Sequence, residues 1–224
     1  MASIKRFIKA IRDYYGEGQA GDIAFLKTQL LGLSAAPELL TQLEDLVGYA
    51  PESDLEALSQ LPEGTLGHAY AQHMLKNGIH PLVISSDLQA EANQDPFALR
   101  YTATHDMFHI LLGFDTSYAG EMGVAAFTAA QSYSKFFNAY MPVAKRLYPL
   151  IFWGQRKAIL ANFSQGEWMG QQAECLLLYR FEDNWARPIA DIRAELGLVL
   201  KESVLTNKAV GHTPESQAQQ TLAA

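Results

Sequence analysis

Two histidines and two carboxylates lie close together with the spacing of a metal site: His105, Asp106, His109 and Glu121. On one helix, residues i and i+4 point about 40° apart, and residue i+1 points about 60° from residue i+4. The first three side chains can therefore share a helix face. Imidazole nitrogens and carboxylate oxygens are ligands of divalent cations, and a cation would balance both negative charges. We expect Zn²⁺, with Fe²⁺ or Mn²⁺ as the alternatives.

Glu121 reaches this site only if the chain turns back after His109. On a straight helix the two residues would be about 18 Å apart. Gly113 is a typical helix end, and residues 115–117 are three N-cap residues in a row. Gly113 follows His109 by four residues and Ser117 precedes Glu121 by four, so an antiparallel helical hairpin would place Glu121 opposite His109.

A metal-free interpretation of this motif also stays open. Histidines at i and i+4 arise by chance, Asp106 could be a solvated charge, and Glu121 could complement a helix N-terminus. The neighbouring residues favour the metal, because they are apolar nearly all round and predict a buried helix in which unpaired carboxylates are costly. These neighbours are Met107, Phe108, Ile110, Leu111, Leu112 and Phe114.

Composition limits the classes of partner. The net charge of −7 gives no long-range attraction for nucleic acid. A single cysteine, Cys175, excludes an intrachain disulfide and suits a reducing compartment. No segment approaches the ~20 apolar residues that span a bilayer. With no secretory signal at the N-terminus, we expect a cytoplasmic protein.

The N-terminal residues combine an apolar stripe with basic side chains, a pattern that can lie on the inner face of an anionic membrane. The alternative is an ordinary stripe that is buried in the core. The apolar positions are Ile4, Phe7, Ile8 and Ile11, and the basic ones are Lys5, Arg6, Lys9 and Arg12.

Helical periodicity runs through most of the chain and predicts an all-α, single-domain multi-helix bundle over residues 1–206, with the metal site on a helical hairpin. Pro142 is expected to begin the helix after the hairpin, and Pro149 to kink or break it. Residues 207–224 are rich in polar and small side chains and predict a disordered tail. His212 in that tail is therefore not a ligand candidate.

The metal motif resembles that of the coenzyme Q (ubiquinone) biosynthesis protein 4 family. Two remote stretches agree with it: Leu61-Pro62-Glu63-Gly64-Thr65-Leu66-Gly67 with Tyr70, and a set formed by Trp185, Pro188, Arg193, Glu195, Leu196 and Gly197. Together they cover about residues 60–198. The chain departs from the family in one place, because Ala103 stands where the pattern Arg-x-x-Glu-x-His that begins at Arg100 has an acid.

The resemblance implies an all-helical fold, a metal held by His105, Asp106, His109 and Glu121, and a role in making a prenylated quinone. Relatives are associated with removing the ring carboxylate of a polyprenylated hydroxybenzoate and placing a hydroxyl at that carbon. The alternative is a non-catalytic scaffold that binds prenyl lipid and organises the biosynthetic enzymes. The expected partners are a prenylated aromatic or isoprenoid lipid and those enzymes, and the apolar content is compatible with a homo-oligomer.

A prenyl tail would need an apolar site. Aromatic residues along and after the second arm of the hairpin offer one, although such stripes are usually core. The candidates are Phe127, Tyr133, Phe137 and Phe152.

Overall fold

The computed structural model describes Arg6, Ile8 and residues 20–30, 33–46 and 53–200. These parts contain α-helices, short 3₁₀ segments and two isolated β-bridges but no strand, which confirms the all-α prediction. The α-helices are α1 Ala20–Leu30, α2 Pro37–Leu43, α3 Leu55–Ser59, α4 Leu66–Asn77, α5 Ser86–Ala92, α6 Pro96–Leu112, α7 Tyr118–Ala130, α8 Lys135–Ile151, α9 Arg156–Gln172 and α10 Ile189–Glu195.

The N-terminal stripe lies outside the described residues except for Ile8, as does the predicted tail after residue 206. The division into one helical domain and a disordered tail therefore stays a prediction. None of the described helices is both long and apolar enough to cross a membrane.

The predicted hairpin consists of α6 and α7. Asp95 caps α6 by accepting a hydrogen bond from the N–H of Ala98 at 3.0 Å. Gly113 ends the helix in the left-handed region at φ 76°, where glycine has no steric penalty, and its N–H donates to the carbonyl of His109. The Ser117 hydroxyl then accepts from the N–H of Gly120 and caps α7. Both ends of the turn thus agree with the sequence prediction.

Helix α9 packs directly on α7, backbone against backbone. A Cβ atom added to Gly166 would lie 2.1 Å from the carbonyl oxygen of Gly123. The core around this contact includes Phe108 of α6 and Phe127 of α7, whose rings meet edge to face. The contact fixes the helix that carries Glu121.

The predicted role of Pro142 is wrong. Helix α8 begins at Lys135, where the Ser134 hydroxyl accepts from the N–H of Phe136, and both prolines lie inside it. The chain leaves the helix at Phe152 and forms a 3₁₀ turn at Trp153–Gln155. Burial of Phe137 and Met141 gives α8 its own packing face, which offsets the backbone hydrogen bonds that the prolines remove.

The two remote sequence motifs meet in space. Gly67 donates its N–H to the carbonyl of Trp185 at 2.8 Å, and Leu66 donates to Arg187 at 2.9 Å. The ring of Tyr70 packs against that of Trp185 with centroids 5.4 Å apart. The start of α4 is thus joined to the segment before α10.

Candidate metal centre

The hairpin brings His105, His109 and Glu121 together. Nε2 of His109 lies 3.2 Å from Oε1 of Glu121, and Nε2 of His105 lies 3.6 Å from Oε2. One potential ligand atom from each of the three residues lies within 4.8 Å of the others. Two helices therefore converge on one point with two nitrogens and a carboxylate.

The His109 ring is oriented for ligation. It is 1% exposed, and Nδ1 lies 3.3 Å from the backbone carbonyl of Phe114. A ligating histidine commonly donates its second ring nitrogen to such a carbonyl, which leaves the other nitrogen for the metal. Nε2 is buried and makes no hydrogen bond of good geometry with the residues described. A buried nitrogen in this position suits a cation.

Burial alone would lower the pKa of His109, but the charge of Glu121 and its close contact with Nε2 raise that pKa to about 9. The pKa of Glu121 is lowered: burial would raise it, and the charge of His109 outweighs that effect. The pKa of His105 is lowered, mainly by burial. In the absence of metal, His109 and Glu121 thus form a charged pair.

Asp106 points elsewhere, toward α4. Its Oδ1 lies 3.7 Å from Nε2 of His73, and the His73 ring stacks on that of His109 with centroids 6.0 Å apart. Burial would raise the pKa of Asp106, but His73 and the other nearby histidines lower it. Asp106 thus lies beside the three-residue group, and its role as a ligand stays a prediction.

Two residues near the site were not predicted. His73 follows the 61–67 motif on α4, and Lys27 lies among the apolar residues of α1. Burial lowers the pKa of Lys27 while the charge of Glu121 opposes that shift, which places the lysine within electrostatic range of the site. The only sequence signal for Lys27 was its position as a charged residue within the apolar stripe of α1.

The predicted lipid-binding aromatics divide into two groups. Phe127, Tyr133 and Phe137 are buried in the core, where the Tyr133 hydroxyl donates to Gln131 and accepts from the N–H of Leu177. Phe152 is partly exposed and stacks on Tyr118 with ring centroids 4.1 Å apart. Their role in lipid binding stays a prediction.

Comparison with known proteins gives one consistent family. The model of the family described as coenzyme Q (ubiquinone) biosynthesis protein Coq4 matches residues 49–202. The Rattus norvegicus ubiquinone biosynthesis protein COQ4 homolog, mitochondrial, is 31% identical over 151 residues, which are 65% of this chain and 54% of the rat protein. The Danio rerio homolog is 28% identical over 191 residues, 75% of this chain and 68% of that protein. The matched part thus spans about half of the rat relative.

A solved structure shares the fold. The crystal structure of a protein from Nostoc punctiforme PCC 73102, assigned provisionally to ubiquinone biosynthesis, superposes with a TM-score of 0.61 at 24% identity. The match covers 88% of this chain and 97% of that one. At this identity the likeness establishes the fold alone.

Proposed function

Because the chain belongs to the coenzyme Q (ubiquinone) biosynthesis protein Coq4 family, we propose that it acts in making ubiquinone or a related prenylquinone. The proposed site is a divalent metal held by His105, His109 and Glu121. The observation that carries this proposal is the convergence of their three ligand atoms within 4.8 Å, from two helices fixed by a capped turn.

The donor set fits the ion. Two imidazoles and one carboxylate form one of the ligand sets of catalytic zinc, and the same set serves Fe²⁺ in oxygenases. Three protein ligands leave a coordination position for substrate or water, whereas a fourth would close a tetrahedral site. The orientation of Asp106 toward His73 supports the open arrangement. When bound, the metal would supply a Lewis acid to an oxygen atom of the substrate.

The proposed substrate is a prenylated hydroxybenzoate. Lys27 contributes positive charge on the α1 side of the site, which suits a ring carboxylate. His73 and Asp106 form a pair that could orient a polar group or hold a proton beside His109. The proposed reaction releases the carboxylate as CO₂ and puts a hydroxyl in its place. That exchange is a two-electron oxidation: with O₂ as the oxidant and water as the source of the hydroxyl oxygen, the O₂ is reduced to H₂O₂.

The first experiment measures metal content by elemental analysis and retained lipid by native mass spectrometry on the same purified protein. We expect about one equivalent of a transition metal in the wild type. His109→Gln and Glu121→Gln should lose it, since each removes one of three ligands, while the exposed His80→Gln control keeps it. Equal metal content in all four proteins would contradict the proposed site.

A second assay separates catalysis from scaffolding. The metal-loaded protein is supplied with a prenylated 4-hydroxybenzoate under O₂, and CO₂ and the hydroxylated product are measured. Product from the wild type and His80→Gln, but not from Glu121→Gln, supports the enzyme. A metal-loaded wild type that makes no product while retaining a prenyl-like mass would instead favour the non-catalytic scaffold.

A further inference from the structure

The charge of this chain is distributed unevenly. Between Glu121 and Glu167 the sequence contains no aspartate or glutamate, although the whole chain carries a net charge of −7. The same interval contains five basic residues: Lys135, Lys145, Arg146, Arg156 and Lys157. A protein with an acidic total thus has a long internal segment, α8 with the first part of α9, whose charged residues are all basic.

The same segment exposes an unusual amount of apolar surface. We call its exposed residues 143–160 the α8–α9 corner. Trp153 is 66% exposed, Leu150 62% and Ile151 59%. Most of the large exposed hydrophobic residues in the described parts of the chain belong to this corner, and they are Val143, Leu147, Leu150, Ile151, Trp153 and Leu160.

The apolar and basic side chains alternate on one surface. At about 100° per residue, Val143, Arg146, Leu147 and Leu150 fall within an arc of about 100° on α8, opposite the face that buries Met141 and Ala144. At the end of the helix the Arg156 guanidinium lies 4.8 Å from the centre of the Trp153 ring. An apolar stripe with flanking cations is the pattern of a helix that lies in a membrane interface.

We propose that the α8–α9 corner binds the surface of an anionic lipid bilayer. Leu150, Ile151 and Trp153 enter the interface, while Arg146, Arg156 and Lys157 meet lipid phosphates. Because the chain carries a net charge of −7, an anionic surface repels its acidic faces and favours an orientation in which this basic corner meets the lipid.

The charge pattern argues against a second copy of the chain as the occupant. A two-fold interface places the same patch on both sides, so the basic residues of the two corners would face each other. Lys145 already pairs with Glu167 at 2.8 Å, but the sequence provides no acid within the corner to compensate the others. This membrane surface is distinct from the N-terminal stripe and does not rest on the proposed metal chemistry.

The test is vesicle binding by the full chain. We expect the wild type to co-sediment with vesicles containing phosphatidylglycerol, far less with pure phosphatidylcholine, and less as salt rises. Arg146→Gln/Arg156→Gln/Lys157→Gln should lower the partition coefficient about a hundredfold, since each charge contributes about a factor of five. Leu150→Ser/Trp153→Ser should lower it at least about tenfold.

Matched controls lie outside the corner. Leu75→Ser/Val83→Ser changes two equally exposed apolar residues, and Lys76→Gln removes one exposed charge, so both proteins should bind as the wild type does. Brominated lipid should quench the emission of the wild type more than that of Trp153→Phe. Thermal melts check that every variant folds.

Three results would overturn the proposal. The first is equal binding to neutral and anionic vesicles, or no binding to either. The second is undiminished binding by both corner variants, which would move the contact to another surface. The third is a wild-type protein that binds no vesicles and is a dimer by light scattering, while the Leu150→Ser/Trp153→Ser variant is a monomer. That result would make the corner a protein interface.

Discussion

At the scale of single residues, the site is built around two largely buried charged groups, His109 and Glu121. His109 is almost fully buried and faces Glu121 at 3.2 Å, and the pKa values of both groups are shifted toward their charged forms. A divalent cation at Nε2 has to displace the proton of His109. Without a cation, the positive charge of His109 balances the negative charge of the Glu121 carboxylate.

This pair predicts how the stability of the metal-free protein depends on pH. The pKa of His109 rises from an ordinary value of about 6.5 to about 9 in the folded protein, so its stabilisation is complete below pH of about 6.5 and is lost as the pH rises through 9. The pKa of Glu121 is lowered, so its contribution is present above about pH 4.3 and is lost on acidification.

We expect the unfolding free energy of chelator-treated protein, measured by urea titration, to fall between pH 6.5 and pH 10. The fall should be about 3 kcal/mol larger in the wild type than in Glu121→Gln. The variant serves as the control because it removes the acidic partner but keeps the histidine. If the two proteins give parallel curves over this range, the ion pair does not stabilise the metal-free state.

The sequence predicted that His105, His109 and Glu121 would meet, as they do, and the orientation of Asp106 toward α4 has a geometric reason. On α6, Asp106 lies about 60° from His109 on the side away from His105. Whether that side of α6 faces α7 or α4 depends on where α4 packs. The spacing of residues along α6 gives no information about that packing. His73 was missed for the same reason, since it lies on a helix that reaches the site only through tertiary packing.

At the scale of elements, α7 is held by the contact between its backbone and Gly166 of α9. Residues that pack side chain against side chain can adjust by rotation, whereas a carbonyl oxygen 2.1 Å from a new Cβ cannot. The position of Glu121 thus depends on a small residue on a helix that contributes no ligand.

Gly166→Ala should lower the free energy of unfolding by about 1–3 kcal/mol, because the added methyl group forces α7 and α9 apart. Gly154→Ala is the matched control: its Cβ would meet nothing within 4 Å, so we expect a change within about 0.5 kcal/mol. Thermal and urea unfolding measure both. Equal stability of the two variants would contradict the proposed tight contact.

Helix ends were easier to predict than helix interiors. Gly113 and Ser117 act through local hydrogen bonds, so their residue types sufficed to predict the turn. The prediction for Pro142 failed because tertiary packing decides whether a helix continues through a proline. Burial of one face of α8 stabilises the helix more than the hydrogen bonds lost at its two prolines destabilise it.

At the scale of the whole molecule, Arg100 connects α6, the helix that contains His105 and His109, to the C-terminal segment. Its side chain is 1% exposed, donates to Glu182 at 3.1 Å and to the carbonyl of Leu177 at 3.2 Å, and also bonds the carbonyl of Tyr179. The arginine in the family-like pattern therefore has a structural role in this chain, five residues before His105.

Arg100→Met should destabilise the protein by about 3–5 kcal/mol, because it leaves the carboxylate of Glu182 buried without its partner. Arg180→Gln is the control, since Arg180 pairs with Asp183 at 4.0 Å on the surface and its loss should cost less than about 1 kcal/mol. Denaturant titrations compare the two. A small effect of Arg100→Met would show that the pair does not hold the C-terminal segment in place.

The junction of the two remote motifs has a consequence for the order of events during synthesis. The proposed ligands from His105 to Glu121 leave a ribosome within about one to three seconds at 5–20 residues per second. Leu66 and Gly67, made earlier, find their backbone partners Arg187 and Trp185 only after about 120 further residues, or about 6–24 seconds. During translation the hairpin can form long before the first turn of α4 is secured, so the proposed metal ligands can come together while the helices that enclose them are still incomplete.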